Sequence, residues 1–370
     1  MRGSEREFRW WLSALLLLVG LLSCSPAAPT ATTQPAAAPQ TSNAASAPSA
    51  SAPALGAQPA ATVPAGPPEQ LRVAWVSVGG GFLPLHAAQQ KGFFEKHGVN
   101  VDLVFTTGPQ AVQSLLAREV DVAYVDAAQL VRAGLAGADT VMLAATTNTL
   151  LFKLIALPSI QRPEDLKGKR LGITRLGTTS DFAARYMLER VGLAPDSDVA
   201  LVQTGGSPEL FQALAAGAID AGLANEPFVM QARKQGYSVP YDFVSLGLEM
   251  PQNAIGTLHG VVAQRPEAFR RFLAGLVEAI AWTKQNRAEA LQVLARYTQT
   301  EDPEILNATY DEHAPRYPPV PHVTEAGVQT VFDSLRDSEP RVAELQATQF
   351  IDDRFLRELE DSGFVRQLYP

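Results

Sequence analysis

Two short clusters of small residues carry the chemistry most easily read from this chain: Gly79-Gly80-Gly81-Phe82 and Gly177-Thr178-Thr179-Ser180. Each follows an apolar run and precedes an amphipathic stretch, the place where a strand hands over to a helix. Glycine permits close backbone approach to a ligand and positive φ. Thr and Ser at a helix start set hydroxyls beside N–H groups that carry the helix's partial positive charge, a ready site for a carboxylate, sulfonate or nitrate group. Both features have a plainer use. Thr179 or Ser180 can simply cap the helix, and the glycines can form a loose turn.

Further candidates stand after other apolar runs: Asp126 and Ala127, Thr147 and Asn148, Asn225 and Glu226. Glu226, in the sequence NEPF, can accept from a cationic or amide-bearing ligand or stand as a solvated loop acid. The expected binding set is therefore Gly80, Gly81, Phe82, Asp126, Ala127, Thr147 and Asn148, faced by Gly177, Thr178, Thr179, Ser180, Asn225 and Glu226. No arginine is assigned to it, Arg175 being the nearest candidate. His86 reads as a packing residue in a helix, and His259, His313 and His322 lack the spacing of a helical zinc motif. There is no nucleophile elbow, no phosphate loop ending in Lys, and no GxGxxG opening a helix. No catalytic residue, metal or cofactor is expected.

The elements that must position these residues repeat. LRVAWVSV (71–78), VNVDLVF (99–105), VDVAYVD (120–126) and TVMLAAT (140–146) read as strands, with helices over 84–98, 109–120 and around 127–136. Strands over 169–176, 198–204 and 219–225 and helices over 181–192 and 208–219 repeat the order. Alternating strand and helix implies a mainly parallel sheet covered on both faces. At an offset of 99, Pro109 matches Pro208, Gln113 matches Gln212 and Asp121 matches Asp220. Two similar α/β lobes follow. The run 150–157 is the expected crossover, and 247–263 the return. Helices over 266–286, 287–297, 301–312, 324–337 and 352–360 are placed on the first lobe, the longest with Phe269, Phe272, Leu273, Leu276, Val277 and Ile280 on one stripe. The boundaries drawn are 69–155 with 258–370 for lobe one and 156–257 for lobe two. In such sheets ligands bind beyond the carboxyl ends of the strands, so the candidates line a cleft between the lobes.

The N-terminus sets the compartment. Arg2, Arg6 and Arg9 precede an apolar run from Trp10 to Leu22. That run extends roughly 20 Å as a helix, too short to span a bilayer core of about 30 Å. A basic start, a short apolar segment and a small residue before the cut describe a secretory signal. Leu21-Leu22-Ser23-Cys24 resembles the bacterial lipobox, which implies cleavage after Ser23 and acylation of Cys24. Cys24 is the sole cysteine, so no disulfide is possible within the chain. Residues 25–68 contain no charged and no aromatic residue, a composition that cannot offset its own ordering entropy. Residues 24–68 are read as a disordered Ala/Pro/Ser/Thr tether. Loss of 1–23 removes three Arg and two Glu, taking the formal charge from −8 to −9. A mildly acidic chain argues against a nucleic-acid partner.

PLHAAQQKGFFEKHGVNVDLV (84–104), LLAREVDVAYVD (115–126) and ALAAGAIDAGLANEP (213–227) resemble type II periplasmic binding proteins of the nitrate, sulfonate and taurine group, which includes relatives similar to thiamine-pyrimidine synthases. RPEDLKGKRLGI (162–173) and FIDDRFLRELEDSGFVRQLY (350–369) are also similar to that family. One departure is Arg118-Glu119, where the family has a Gly, as at Gly217. The resemblance implies an α/β Venus flytrap that closes on a small-molecule ligand and docks on an ABC permease in the membrane. It further implies a monomer held at the extracytoplasmic side of the cell envelope through its lipid. Two alternatives share the fold: an enzyme, pyrimidine-precursor synthase-like or chorismate-processing, and a sensor module that reports ligand to a membrane receptor.

Overall fold

The computed structural model describes residues 66–336 and 338–369; the expected signal, Cys24 and nearly all of the expected tether lie outside the described residues. In chain order, β1 (Glu69–Trp75), α1 (Leu83–Gln90), α2 (Phe93–Lys96), β2 (Val99–Phe105), α3 (Gly108–Leu116), β3 (Val122–Val125), α4 (Ala127–Leu135) and β4 (Thr140–Thr149) open the fold. A second series follows: β5 (Lys153–Ala156), β6 (Arg170–Ile173), α5 (Thr179–Arg190), β7 (Ala200–Gln203), α6 (Ser207–Ala215), β8 (Ala221–Ala224), α7 (Phe228–Lys234) and β9 (Ser238–Asp242). Then come β10 (Glu249–Leu258), α8 (His259–Gln264), α9 (Pro266–Gln285), α10 (Arg287–Thr298), α11 (Pro303–His313), α12 (Glu325–Leu335), α13 (Arg354–Asp361) and α14 (Phe364–Leu368).

The strands form two five-stranded sheets of matching order, β2-β1-β3-β10-β4 and β7-β6-β8-β5-β9. Each sheet is mixed rather than mainly parallel. Two pairings are parallel and two antiparallel, because the strand arriving from the other lobe, β10 or β5, runs against the other four strands of its sheet. Covered on both faces, the inner strands β3 (VAYV) and β8 (AGLA) are wholly buried, whereas edge strand β2 is buried only in part. Sheet membership puts the crossings at 150–152 and 247–248, each earlier in the chain than the boundary drawn from sequence, since β5 belongs entirely to the second sheet and β10 to the first. Gln252 Oε1 of β10 accepts from Leu151 N at 2.8 Å, tying the first crossing segment to the strand that follows the second.

The duplication has a physical core. Asp121 accepts from Arg72 N at 2.8 Å, and Asp220 accepts from Arg170 N at the same distance, so each Asp fastens the start of a paired strand. The turn before each Asp needs a left-handed residue: Gly217 has φ 68°, and its counterpart Arg118 has φ 58°. The expected helix 84–98 is instead two helices, α1 and α2, parted at Gly92, whose φ is 72°. Helix α9 buries the apolar stripe read from sequence, with Phe272 stacked on Phe94 at 5.1 Å. Burying side chains of this size stabilises by about 1.5–3 kcal/mol each. Helix α11 touches both lobes rather than one. Lys234 of α7 pairs with Asp302 and Glu304 at 2.5 and 2.8 Å, and Lys153 of β5 pairs with Glu312 at 2.8 Å. Among the described residues no helix is long and apolar enough to cross a membrane.

Candidate ligand-binding site

Beyond the carboxyl ends of both sheets lies a cavity of about 140 Å³, room for roughly five water-sized groups. The first lobe contributes Val76, Ser77, Gly79, Gly81, Phe82, Asp126 and Gln129, and the second Thr174, Arg175, Thr178, Thr179, Ser180 and Asn225. Phe152 from the first crossing and Gln252 and Asn253 from β10 complete the wall. Four helices begin at it: α3 through Thr107 and Gly108, α4 through Asp126, α5 through Thr178–Ser180, and α6 through Gly206 and Ser207. Their first-turn N–H groups give this end of each lobe a positive potential.

Each expected residue has a definite place. Gly81, Phe82, Asp126, Thr178, Thr179, Ser180 and Asn225 share the cavity wall. Asp126 also caps α4, accepting from Gln129 N and, at 2.7 Å, from Gln129 Nε2. Burial holds its carboxyl above the ordinary Asp value. Helix α5 starts from Thr178, and no side chain caps it. Ser180 Oγ is occupied locally, accepting from Thr174 N at 3.0 Å and bonded to Thr174 Oγ1 at 2.7 Å. Thr179 Oγ1, by contrast, is buried without a partner among the described residues, as are Asn225 Oδ1 and Gln129 Oε1.

The other expected residues lie off the wall. Ala127 and Thr147 are packed into the first lobe. Asn148 Nδ2 donates to His322 O at 2.9 Å, which fastens a loop. Gly177 is on the far side of its turn, against the Arg132 guanidinium. Glu226 is off the wall and is not a solvated acid: only 3 % exposed, it accepts from Met230 N at 2.9 Å in the first turn of α7. Burial keeps its carboxyl above the usual glutamate value. Gly80 stands just behind the wall. The glycines there are not at positive φ; they permit close approach of protein, His313 against Gly80 and Asn253 against Gly81.

Sequence reasoning missed the residues that hold this loop. Tyr297 Oη donates to Gly79 O at 2.8 Å, Tyr317 Oη to Gly80 O at 2.5 Å and Tyr124 Oη to Gly81 O at 3.1 Å. Burial raises all three phenols, so they stay protonated and act as donors. A trans peptide points its N–H opposite its C=O. Fixing the carbonyls of Gly79 and Gly80 on tyrosines therefore turns the Gly80 and Gly81 N–H groups away from them. Both glycines are buried, and neither N–H has an acceptor among the described residues, an unusual state for buried amides. Arg175 is the other omission. It lines the cavity, and its guanidinium has no carboxylate partner among the described residues. The only available signal for it was its place two residues before the Gly177 cluster.

Two mixed sheets joined by two crossings, with a cavity between their carboxyl ends, define the two-lobed type II periplasmic binding protein, or Venus flytrap, fold. The chain belongs to the NMT1/THI5-like family, whose profile matches residues 80–290. A Brucella abortus protein named only for binding is 29 % identical over 224 residues, covering 58 % of this chain and 67 % of its own. The alkanesulfonate-binding protein SsuA from Xanthomonas axonopodis pv. citri, solved with MOPS, superposes with a TM-score of 0.67 at 17 % identity, covering 78 % of this chain and all of its own. The nitrate-binding protein NrtA from Synechocystis PCC 6803 gives 0.63 at 16 % identity, covering 84 % and 92 %.

Proposed function

We propose that this chain is the extracytoplasmic solute-binding subunit of an ABC importer, and that it captures a small anion, organic or inorganic, between its lobes. One observation carries the reading: donors without protein acceptors come from both lobes to one cavity. The first lobe offers the Gly81 N–H on the wall, with that of Gly80 just behind it. The second offers the uncapped start of α5, Thr179 Oγ1 and Arg175. A ligand carrying oxygen acceptors satisfies both sets only when the lobes are together. Binding would then shift the population toward the closed form. The lining contains no histidine, cysteine or lysine, and among the described residues no His/Cys/Asp/Glu group is able to hold a metal; both features suit capture better than catalysis. The names of SsuA and NrtA, anion binders on this fold, support the choice of ligand.

The site test is a thermal-shift panel of nitrate, methanesulfonate, taurine, acetate and benzoate against neutral pyrimidines and sugars. An anion at a hundred times its dissociation constant should add about 2.7 kcal/mol of stability. Stabilisation by neutral solutes alone would refute the anion assignment. Anchoring through Cys24 belongs to the same proposal, supported by the lipobox-like Leu21–Cys24 and the charge-free stretch after it. Cys24→Ser should abolish incorporation of labelled palmitate and release the protein from membranes. Unchanged membrane retention would remove the lipid from the account.

A further inference from the structure

We infer that Tyr297 and Tyr317 are positioning residues for the ligand, acting through the backbone they hold; this rests on the anion-binding reading above. Neither lies within residues 80–290, the span matched by the family profile. Tyr297 comes from α10 and Tyr317 from the segment after α11, helices remote in sequence from the glycine loop. Their hydroxyls reach successive carbonyls of that loop, at 2.8 and 2.5 Å.

These carbonyls do not depend on the tyrosines for satisfaction. Gly79 O also accepts from Phe82 N at 3.2 Å, and Gly80 O accepts from Leu83 N. The phenols therefore add orientation to groups already paired within the turn. Because the peptides are planar, fixing each carbonyl fixes the opposite N–H. The N–H groups so aimed, on Gly80 and Gly81, are buried and have no acceptor among the described residues. Donors pre-set in this way lose little freedom when the ligand arrives, which raises affinity without adding a contact.

The Tyr297 ring is itself fixed, stacked on His86 at 4.1 Å and edge-on to Trp75 at 6.4 Å. Tyr317 is fully buried. A loop held only by its own turn would need neither tyrosine, and two buried phenols that both find their acceptors on successive carbonyls of this one loop set its orientation.

The experiment uses the full chain with Tyr297→Phe, Tyr317→Phe and the double variant. Tyr310→Phe is the control, since Tyr310 Oη donates to Thr283 O at 2.8 Å, away from the loop. Nitrate, methanesulfonate and benzoate are titrated calorimetrically, with ¹⁵N amide shifts of Gly80 and Gly81 followed in parallel. Each single variant should weaken the bound anion about three- to tenfold and the double variant more than tenfold, with Tyr310→Phe unchanged. The ligand-induced shifts of the two glycine amides should shrink in the same order. If wild type binds an anion and the double variant matches it within about twofold, the tyrosines are structural only and the proposal is overturned while the anion reading stands. If wild type binds none of the three probes, the anion reading itself fails and the positioning role falls with it.

Discussion

The imidazole of His313 packs so closely on Gly80 that a Cβ at that position would stand 2.3 Å from Nδ1. The ring has no room to retreat. It is 1 % exposed, and Nδ1 is held 3.0 Å from Thr309 O. Gly80→Ala should therefore cost about 1–3 kcal/mol in denaturant unfolding, and weaken anion binding by displacing the loop. A variant with wild-type stability would show that this packing is looser than described.

Arg118 occupies a conformation its counterpart Gly217 adopts freely, φ 58° against 68°. A side chain in the left-handed region costs about 1–2 kcal/mol, offset partly by the entropy glycine adds to the unfolded chain. Arg118→Gly should raise stability by about 0.5–1 kcal/mol, read as a higher urea midpoint at unchanged slope. A lower midpoint would mean that the Arg118 side chain contributes more than its backbone costs.

Burial pushes His86 and His313 down from 6.5 to about 4. Between those values the unfolded chain binds more protons than the folded one, so stability rises with pH through this window and is lost as pH falls. Full protonation of each ring costs about 3 kcal/mol. Urea midpoints at pH 7, 5.5 and 4.5 should fall steeply, and His86→Gln should flatten the fall. An identical slope in the variant would assign the acid sensitivity elsewhere.

Lys153, 5 % exposed, has its nearest carboxylate in Glu312 at 2.8 Å, with Asp242 at 3.8 Å. Removing one partner of a buried pair strands the other charge. Glu312→Gln should destabilise by about 3 kcal/mol, and adding Lys153→Met should recover much of it. No recovery would show that the damage is not the stranded lysine.

The repeated order of elements was legible because strand runs, helical stripes and paired Asp residues are local signals, and Asp121 and Asp220 do the same work in each half. The antiparallel strands β5 and β10 were not, because direction within a sheet is set by which lobe the chain arrives from. At the site, the loops containing Gly81 and Thr179 were legible as strand-to-helix junctions. Glu226 misled because a carboxylate in a loop looks solvated until the fold buries it against Met230 N. Tyr297 and Tyr317 were invisible for a simpler reason. They lie 218 and 237 residues from the glycines they hold, and no periodicity links such distances.

Central to the account is an anion held by the second lobe through Thr179 and Arg175 against the glycine loop of the first. Calorimetric titration of wild type, Thr179→Val and Arg175→Met with the anion that most stabilises the wild type tests it most directly. One site per chain is predicted, with each substitution weakening binding at least about tenfold while the unliganded proteins stay folded. Affinity unchanged in both variants would contradict the site, and with it the account.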